Sequence, residues 1–548
     1  MQLRYLPSLL IIGLAGGTSG YTWPDARIDH VESLLYEQKG SASALSPALE
    51  VNTCDRVPNQ RPRNGRTNSA EWLRLAYHDM ATANVHEGTG GIDASIGFEF
   101  QDRAENPGMA FSASLDFFTQ FQSPRSSMAD LIALGAIFAL GSCSAGRIIV
   151  PFRAGRIDAT EPGPFGVPEP QQDLASHTAS FERQGFSVEE MIGLVACGHT
   201  LGGVHGNDFP TIVDQPNDPA FDDNRHDFDN TFQSFDNHVA VQFVNNETQN
   251  PLAFGPNETT RSDFRIFNAD GGVLIRQMAE SSDLFDATCQ SLIERMINTV
   301  PKVVELTELV TPIPVKPGRI EFQVFPNATM RVTGEIRILN DGSTSENRSV
   351  FLDFKTRDSG SFSAPTVLSV TKLDSYYTGT PTFTVYSFSV NTATSTGVLS
   401  FNVRIEDQGS VAIVADNGGN GFPLTDAIFP LPLASCQNSN TVQGVANTFN
   451  LTVAVRDDAE LSDLIISVPW PTAQNGSVVA QFVTKEAPLT RKAVQTLEGT
   501  GYTLYGGAFS DLRNKFFHVQ KNRYDVRGTG PNGIAESTFN LWERIPVC

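Results

Sequence analysis

Positive charge is scarce in this 548-residue chain: 39 Lys and Arg face 61 Asp and Glu, a formal net charge of −22. A surface this acidic repels phosphate backbones and anionic headgroups, which argues against nucleic acid and membrane surfaces as partners. Cysteine is scarce as well. There are six, with no Cys-x-x-Cys pair, so the usual paired-thiolate zinc sites are missing. Long uncharged apolar runs are also missing, and no membrane span is expected. The run Leu6–Ala15 is too short to cross a bilayer; it follows Arg4 and precedes Thr18-Ser19-Gly20, the pattern of a cleaved signal peptide over residues 1–20. An oxidising compartment would let the six cysteines form three disulfides. Six N-x-S/T triplets, at Asn246, Asn257, Asn327, Asn347, Asn450 and Asn475, agree with a secreted, extracellular glycoprotein.

What is present divides the chain in two. Its length demands two or three domains, and 40% hydrophobic with 18% charged residues describes a globular protein. Residues 25 to about 300 read as helix: Ala70–His78 contains no breaker, Ser127–Leu140 is apolar nearly all round, Ser187 and Glu190 form a capping box, and Ser282–Thr299 is amphipathic. After Val310-Thr311-Pro312-Ile313-Pro314 the period becomes two, as in Ile320/Phe322/Val324, Leu399/Phe401/Val403/Ile405 and Leu451/Val453/Val455. The expectation is an all-α domain over 21–305, a linker over 306–317, and an all-β region of two β-sandwich modules, 318–433 and 434–548.

Two short segments carry chemistry. Arg74-Leu75-Ala76-Tyr77-His78-Asp79 places Arg74 and His78 four residues apart on one helical face, a fixed cation beside an acid/base group. Ala196-Cys197-Gly198-His199-Thr200-Leu201-Gly202-Gly203-Val204-His205 surrounds His199 with small residues that let a flat ligand approach the backbone.

In this order the two segments resemble the plant, fungal and bacterial haem peroxidase superfamily, with its R-x-x-[aromatic]-H-[D/N] and G-H-[T/S/A] motifs. Further blocks are similar to the family over roughly residues 30–300: Gly91–Ile96, Asn106-Pro107-Gly108, Ala129–Leu134, Phe152–Asp158, Val167–Pro170, Phe221–Asn224 with Phe228-Asp229, and Asn268-Ala269-Asp270. The resemblance implies an all-α haem peroxidase domain that binds haem b and uses hydrogen peroxide to oxidise a small, phenol-like reducing substrate. It makes His199 the iron ligand and Asp270 the acceptor of its other ring N–H. Phe221 would stack beside His199, His205 would approach a propionate, and Tyr77 would line the pocket. His78 becomes the acid/base group, Asn106 its orienting acceptor and Arg74 the fixed cation. Two calcium sites follow, a distal one from Asp79, Gly91, Asp93 and Ser95, and a proximal one from Thr200, Asp222, Asn224 and Asp229. The bridge Cys54–Cys143 matches one in secreted fungal relatives. Cys197–Cys289 and Cys436–Cys548 are expected with it, each bridge staying inside one domain.

The departures from the family bear on the electron donor. Tyr77 stands where Phe or Trp is usual. Of the three acids of manganese-oxidising members only Glu71 has a match, with Thr67 and His205 in the other places. Leu194 replaces the surface Trp of ligninolytic members, Asp208 replaces the Arg of ascorbate-using ones, and there is no Pro-Cys-Pro thiolate motif. The donor stays unassigned. A second reading stays open: a non-enzymatic matrix or surface protein, with a peroxidase-like scaffold and a β region that contacts glycan or cell wall.

Overall fold

The computed structural model describes residues 21–38, 46–55, 66–101, 103–213, 224–340, 348–366, 370–373, 380–407, 412–439, 442–512, 514–517 and 522–548. The expected signal peptide and the Asn347 triplet lie outside them. Helices occupy the first part, from Asp29–Tyr36 to Ser282–Asn298, with one small ribbon pairing Gly203–His205 and Arg225–Asp227. Its centre is the helix Met128–Cys143, in which only Ser142 is not buried. The sequence there is apolar on every side because other elements surround it. Asn68–Met80 packs along it through Trp72, Leu73, Leu75, Ala76 and Met80.

From Val315 onward the chain is antiparallel sheet. Two sheets, built around Val315–Val324, Thr329–Leu339 and Phe383–Ala393 and around Ser349–Lys355 and Ser400–Glu406, enclose a core that includes Val332, Ile336, Leu352, Phe388 and Phe401. Two more, built on Ala446–Arg456 with Tyr502–Leu512 and on Ser462–Ala473 with Arg523–Gly530, enclose Phe449, Val453, Val468, Trp470 and Trp542. The alternating runs point as their period requires: Phe401, Val403 and Ile405 are buried, as are Leu451, Val453 and Val455. Leu399, read as part of that alternation, lies just outside its strand and is exposed.

Two boundaries differ from expectation. Segment 306–317 is no free linker. Thr307 N–H donates to the Ala154 carbonyl, Val310 N–H to Phe152, and Ile313 N–H to the Glu32 carboxylate, while Val310 and Ile313 are buried. Prolines suggested a spacer, but the apolar residues between them pin it to the helices. The second pair of sheets also begins before residue 434, because Ile428–Pro430 already pairs with Ala446–Arg456.

The helical and β parts share a seam. Glu32, fully buried, takes an ion pair from Lys316 at 2.7 Å and another from Arg337, which also reaches Glu37. Asn417 holds both the N–H and the carbonyl of Trp23. Farther along, the turn between Ser462–Ala473 and Ala480–Pro488 places Val479, 1% exposed, in the core of the helical part. Three disulfides join Cys54 to Cys143, Cys197 to Cys289 and Cys436 to Cys548, with Cα separations of 4.9, 5.5 and 4.7 Å, and no free cysteine remains.

Candidate active site

The helix Asn68–Met80 presents Arg74 and His78 on one half-buried face while its other faces are in the core. Asn106, fully buried, lies 2.8 Å from His78 Nδ1 through its side-chain oxygen. An amide oxygen can only accept, so Nδ1 carries the proton and Nε2 is left with its lone pair. The next residue fixes the cation: Arg74 donates to the Pro107 carbonyl at 3.0 Å. Phe111 lies beneath both groups, 4.4 Å from the guanidinium and 4.8 Å from the imidazole. Burial, with Arg74 close by, holds the His78 ring well below its ordinary pKa, so it is neutral at neutral pH. Burial also pushes Arg74 down, to about 10, which leaves it charged.

His199 follows the helix Val188–Gly198, whose start is fixed by the Ser187/Glu190 capping box. Its Nδ1 is 2.7 Å from Asp263 Oδ2. Asp263 is fully buried, and it also accepts from Asn250 at 2.7 Å and from Ser262 at 3.2 Å. This corrects the expectation for Asp270, whose carboxylate instead accepts from the amides of Val273 and Leu274 at the start of the helix Val273–Glu280. The two acids are seven residues apart, Asp263 in the helix Ser262–Phe267 and Asp270 in the turn after it. Phe221 lies outside the described residues; the ring stacked on His199 is Phe228, 4.5 Å away at an interplanar angle of 15°. Among buried helices, the half-buried Val195, Gly198 and His199 mark an opening, and a Cβ at Gly198 would meet nothing within 4 Å. With both Nδ1 atoms engaged, each imidazole keeps Nε2 as its ligating or proton-moving nitrogen. This donor set fits haem, with His199 the side chain placed to hold its iron.

The remaining site residues divide. Tyr77 stacks on Phe181 with ring centroids 5.9 Å apart, and its hydroxyl is buried. His205 is half-buried in the small ribbon. Asp208, three residues on, reaches back to Arg66, which also pairs with Glu71 at 3.5 Å, so Glu71 is already engaged. Asp79, at the end of the helix Asn68–Met80, meets Asp93 and Ser95 of the following loop. The Asp79 carboxylate accepts from the amides of Asp93, Ala94 and Ile96, and Asp93 accepts from Ser95 N–H. Gly91 opens that loop at φ 109°, a conformation glycine adopts freely. On the other side, Thr231 donates to Asp229 and to Asp236, and Thr200 donates to the Asp236 carbonyl. Burial and Asp236 push Asp229 up to about 7. Asn224, expected in this group, bonds Asn207 instead, and Asp222 lies outside the described residues. Thr231 and Asp236 take part where the sequence reading named neither. Among the described residues no three His, Cys, Asp or Glu cluster as a metal site.

The model of the peroxidase family matches residues 55–283. A WSC domain-containing protein of Arthroderma benhamiae is 34% identical over 96% of this chain and 68% of its own length. The putative L-ascorbate peroxidase 6 of Arabidopsis thaliana is 30% identical over 33% of this chain and 53% of its own length. The mitochondrial cytochrome c peroxidase of Cryptococcus neoformans is 32% identical over 25% of this chain and 36% of its own. The chain thus spans about half or less of the two peroxidases and about two thirds of the Arthroderma protein. The family-model match and the two motifs in family order, each with its histidine held by Nδ1, define the class: the chain belongs to the haem peroxidase superfamily.

Proposed function

We propose that this chain is a secreted haem peroxidase that reduces hydrogen peroxide and oxidises small, phenol-like donors. One observation carries the reading: the two motif histidines have opposite supports. His78 is held by a neutral amide and His199 by a buried carboxylate. A neutral partner leaves His78 a proton carrier, whereas a carboxylate makes His199 a strong electron-pair donor. Bound haem would supply the redox chemistry. His78 Nε2 takes a proton from peroxide and returns it to the departing oxygen. Arg74 stabilises the charge that develops there, and Asn106 keeps the ring in the required tautomer.

Calcium is the expected occupant of the two oxygen-rich loops. Asp79 and Asp93 are both buried, and burial with the neighbouring Asp93 charge raises the Asp79 carboxyl; Asp229 is buried beside the half-buried Asp236, and a bound cation would relieve each crowded pair. Three disulfides agree with secretion. The two pairs of sheets are read as two sandwich modules. The decisive experiment is a Soret band in the purified protein together with peroxide-dependent oxidation of a generic phenol. A protein that binds no haem, or binds it without turnover, would return the scaffold reading to favour.

A further inference from the structure

The β region inserts a side chain into the helical core at the turn after Ser462–Ala473. Between Ser462–Ala473 and Ala480–Pro488 the chain turns through residues 474–479. That turn holds itself rigid: Gln474 donates to the Val479 carbonyl, Val479 N–H donates to the Ser477 hydroxyl, and Ser477 N–H donates to the Gln474 carbonyl. Its tip docks on Gly97, where Val478 N–H donates to the Gly97 carbonyl at 3.1 Å. Gln122, on the neighbouring loop, donates to the Ala480 carbonyl at 2.9 Å. Val479 is buried in the helical core. The fit at Gly97 leaves no room: a Cβ there would stand 2.6 Å from a Val479 methyl and 2.9 Å from the Ser477 hydroxyl.

Gly97 belongs to the short helix Ile96–Glu99, and Ile96 N–H, beside it, is one of the three amides gripping Asp79. Asp79 adjoins His78. A continuous path of contacts therefore runs from the turn through the 91–99 loop to the distal histidine. We infer that the turn 474–479 is a positioning wedge: the β region braces the distal loop and so fixes where His78 stands. The function assigned to His78 rests on the peroxidase reading; the brace itself does not.

The test uses the full-length, haem-loaded protein at fixed calcium, with hydrogen exchange measured segment by segment. Alanine normally favours a helix over glycine, so Gly97→Ala would be benign but for the wedge. The expected result is exchange at the Asp93, Ala94 and Ile96 amides raised roughly tenfold, with the helix Val188–Gly198 unchanged. The peroxide-dependent rate should fall while the donor-dependent rate holds. Adding Val479→Ala to Gly97→Ala removes the opposing methyls and should recover both readouts. Val483→Asp, at an exposed position on the adjoining strand, should change neither. If Gly97→Ala does not fold, Val479→Ala alone should loosen the same amides to a smaller degree. Wild-type exchange at 93–97 in both single variants would overturn the wedge, as would an equal rise in the Val188–Gly198 helix or a double variant no better than Gly97→Ala. A wild-type protein inert to peroxide would sink the peroxidase reading while the exchange data still decided the wedge.

Discussion

The distal and proximal histidines solve the same problem, a ring held by its Nδ1, with opposite means. On the distal side the holder is Asn106, followed at once by Pro107, whose carbonyl takes Arg74, and soon by Phe111 beneath both groups. One short segment supplies the direct polar and aromatic partners of both His78 and Arg74. On the proximal side the holder is Asp263, itself restrained by Asn250 and Ser262, and the stacked ring comes from Phe228. That set is gathered from three separate stretches of chain. The distal partners lie close together in sequence, from Asn106 to Phe111, whereas the proximal ones are brought together from Phe228, Asn250 and Ser262-Asp263.

The sharpest way to break the comparison is on the proximal side. His199→Ala should abolish stable haem incorporation, read as loss of the Soret band, since among the described residues no other histidine has its Nδ1 held by a buried carboxylate. Asp263→Asn should keep the haem but shift the ferrous iron–histidine stretching frequency. Asp270→Asn should leave that frequency alone and cost only the capping contribution, about 0.5–2 kcal/mol of stability. A shift in the Asp270 variant and none in the Asp263 variant would reverse the assignment.

Distal changes should spare haem binding and act on rate. His78→Leu is expected to slow the reaction with peroxide by roughly 10²–10⁴-fold, and Arg74→Leu by roughly 10²–10³-fold, in stopped-flow measurements on fully loaded protein. Equal rates in wild type and both variants would dissolve the distinction between the two sides.

Calcium removal should affect both sides at once, because each acidic loop directly follows or packs behind one histidine. Chelation, verified by metal analysis, should lower the melting temperature of the helical part by several degrees; an unchanged melting curve in metal-free protein would remove both sites. The smallest effect concerns Glu190, which caps the proximal helix and pairs with Arg295. The Arg295 hydrogen bond, outweighing burial, lowers its pKa to about 2. A depressed carboxylate stabilises the fold above its unfolded value of about 4.3, and that contribution fades as pH falls towards 2. The pair is partly exposed, so Glu190→Gln should cost only about 0.5–1 kcal/mol at pH 7, and the gap from wild type should close in acid melts.

Legibility followed the same division. Arg74 and His78 could be read because i,i+4 spacing puts them on one helical face, whereas Asn106 was legible only through the resemblance of Asn106-Pro107-Gly108 to the family's block. His199 stood out by its run of small neighbours. Asp263 did not: Ser262-Asp263 looks like an ordinary helix start, whereas Asp270 sits in a turn that also invites a carboxylate. Phe228 was quoted as part of an acidic loop but not as the stacking ring, because Phe221 seven residues earlier offered the same residue types. Thr231 and Asp236 had no signal beyond being polar. In the β region, period two told which side chains face inward, and Phe401, Val403 and Ile405 obeyed it. Strand pairing over long separations, such as Ile428–Pro430 with Ala446–Arg456, leaves no mark in the local pattern. The docking of Val310 and Ile313 was hidden by the prolines beside them.

The contact between Val478 and Gly97 also has a temporal side. The partners are separated by about 380 residues, and a ribosome adds roughly 5–20 residues per second. The distal loop must therefore wait roughly 20–75 seconds after its own synthesis before the segment that seats it exists. During that interval the nascent helical part exposes the apolar notch that Val479 will fill, at a stage when unfilled notches invite association with other chains. Expression yield, more than catalysis, is where that waiting time should be felt.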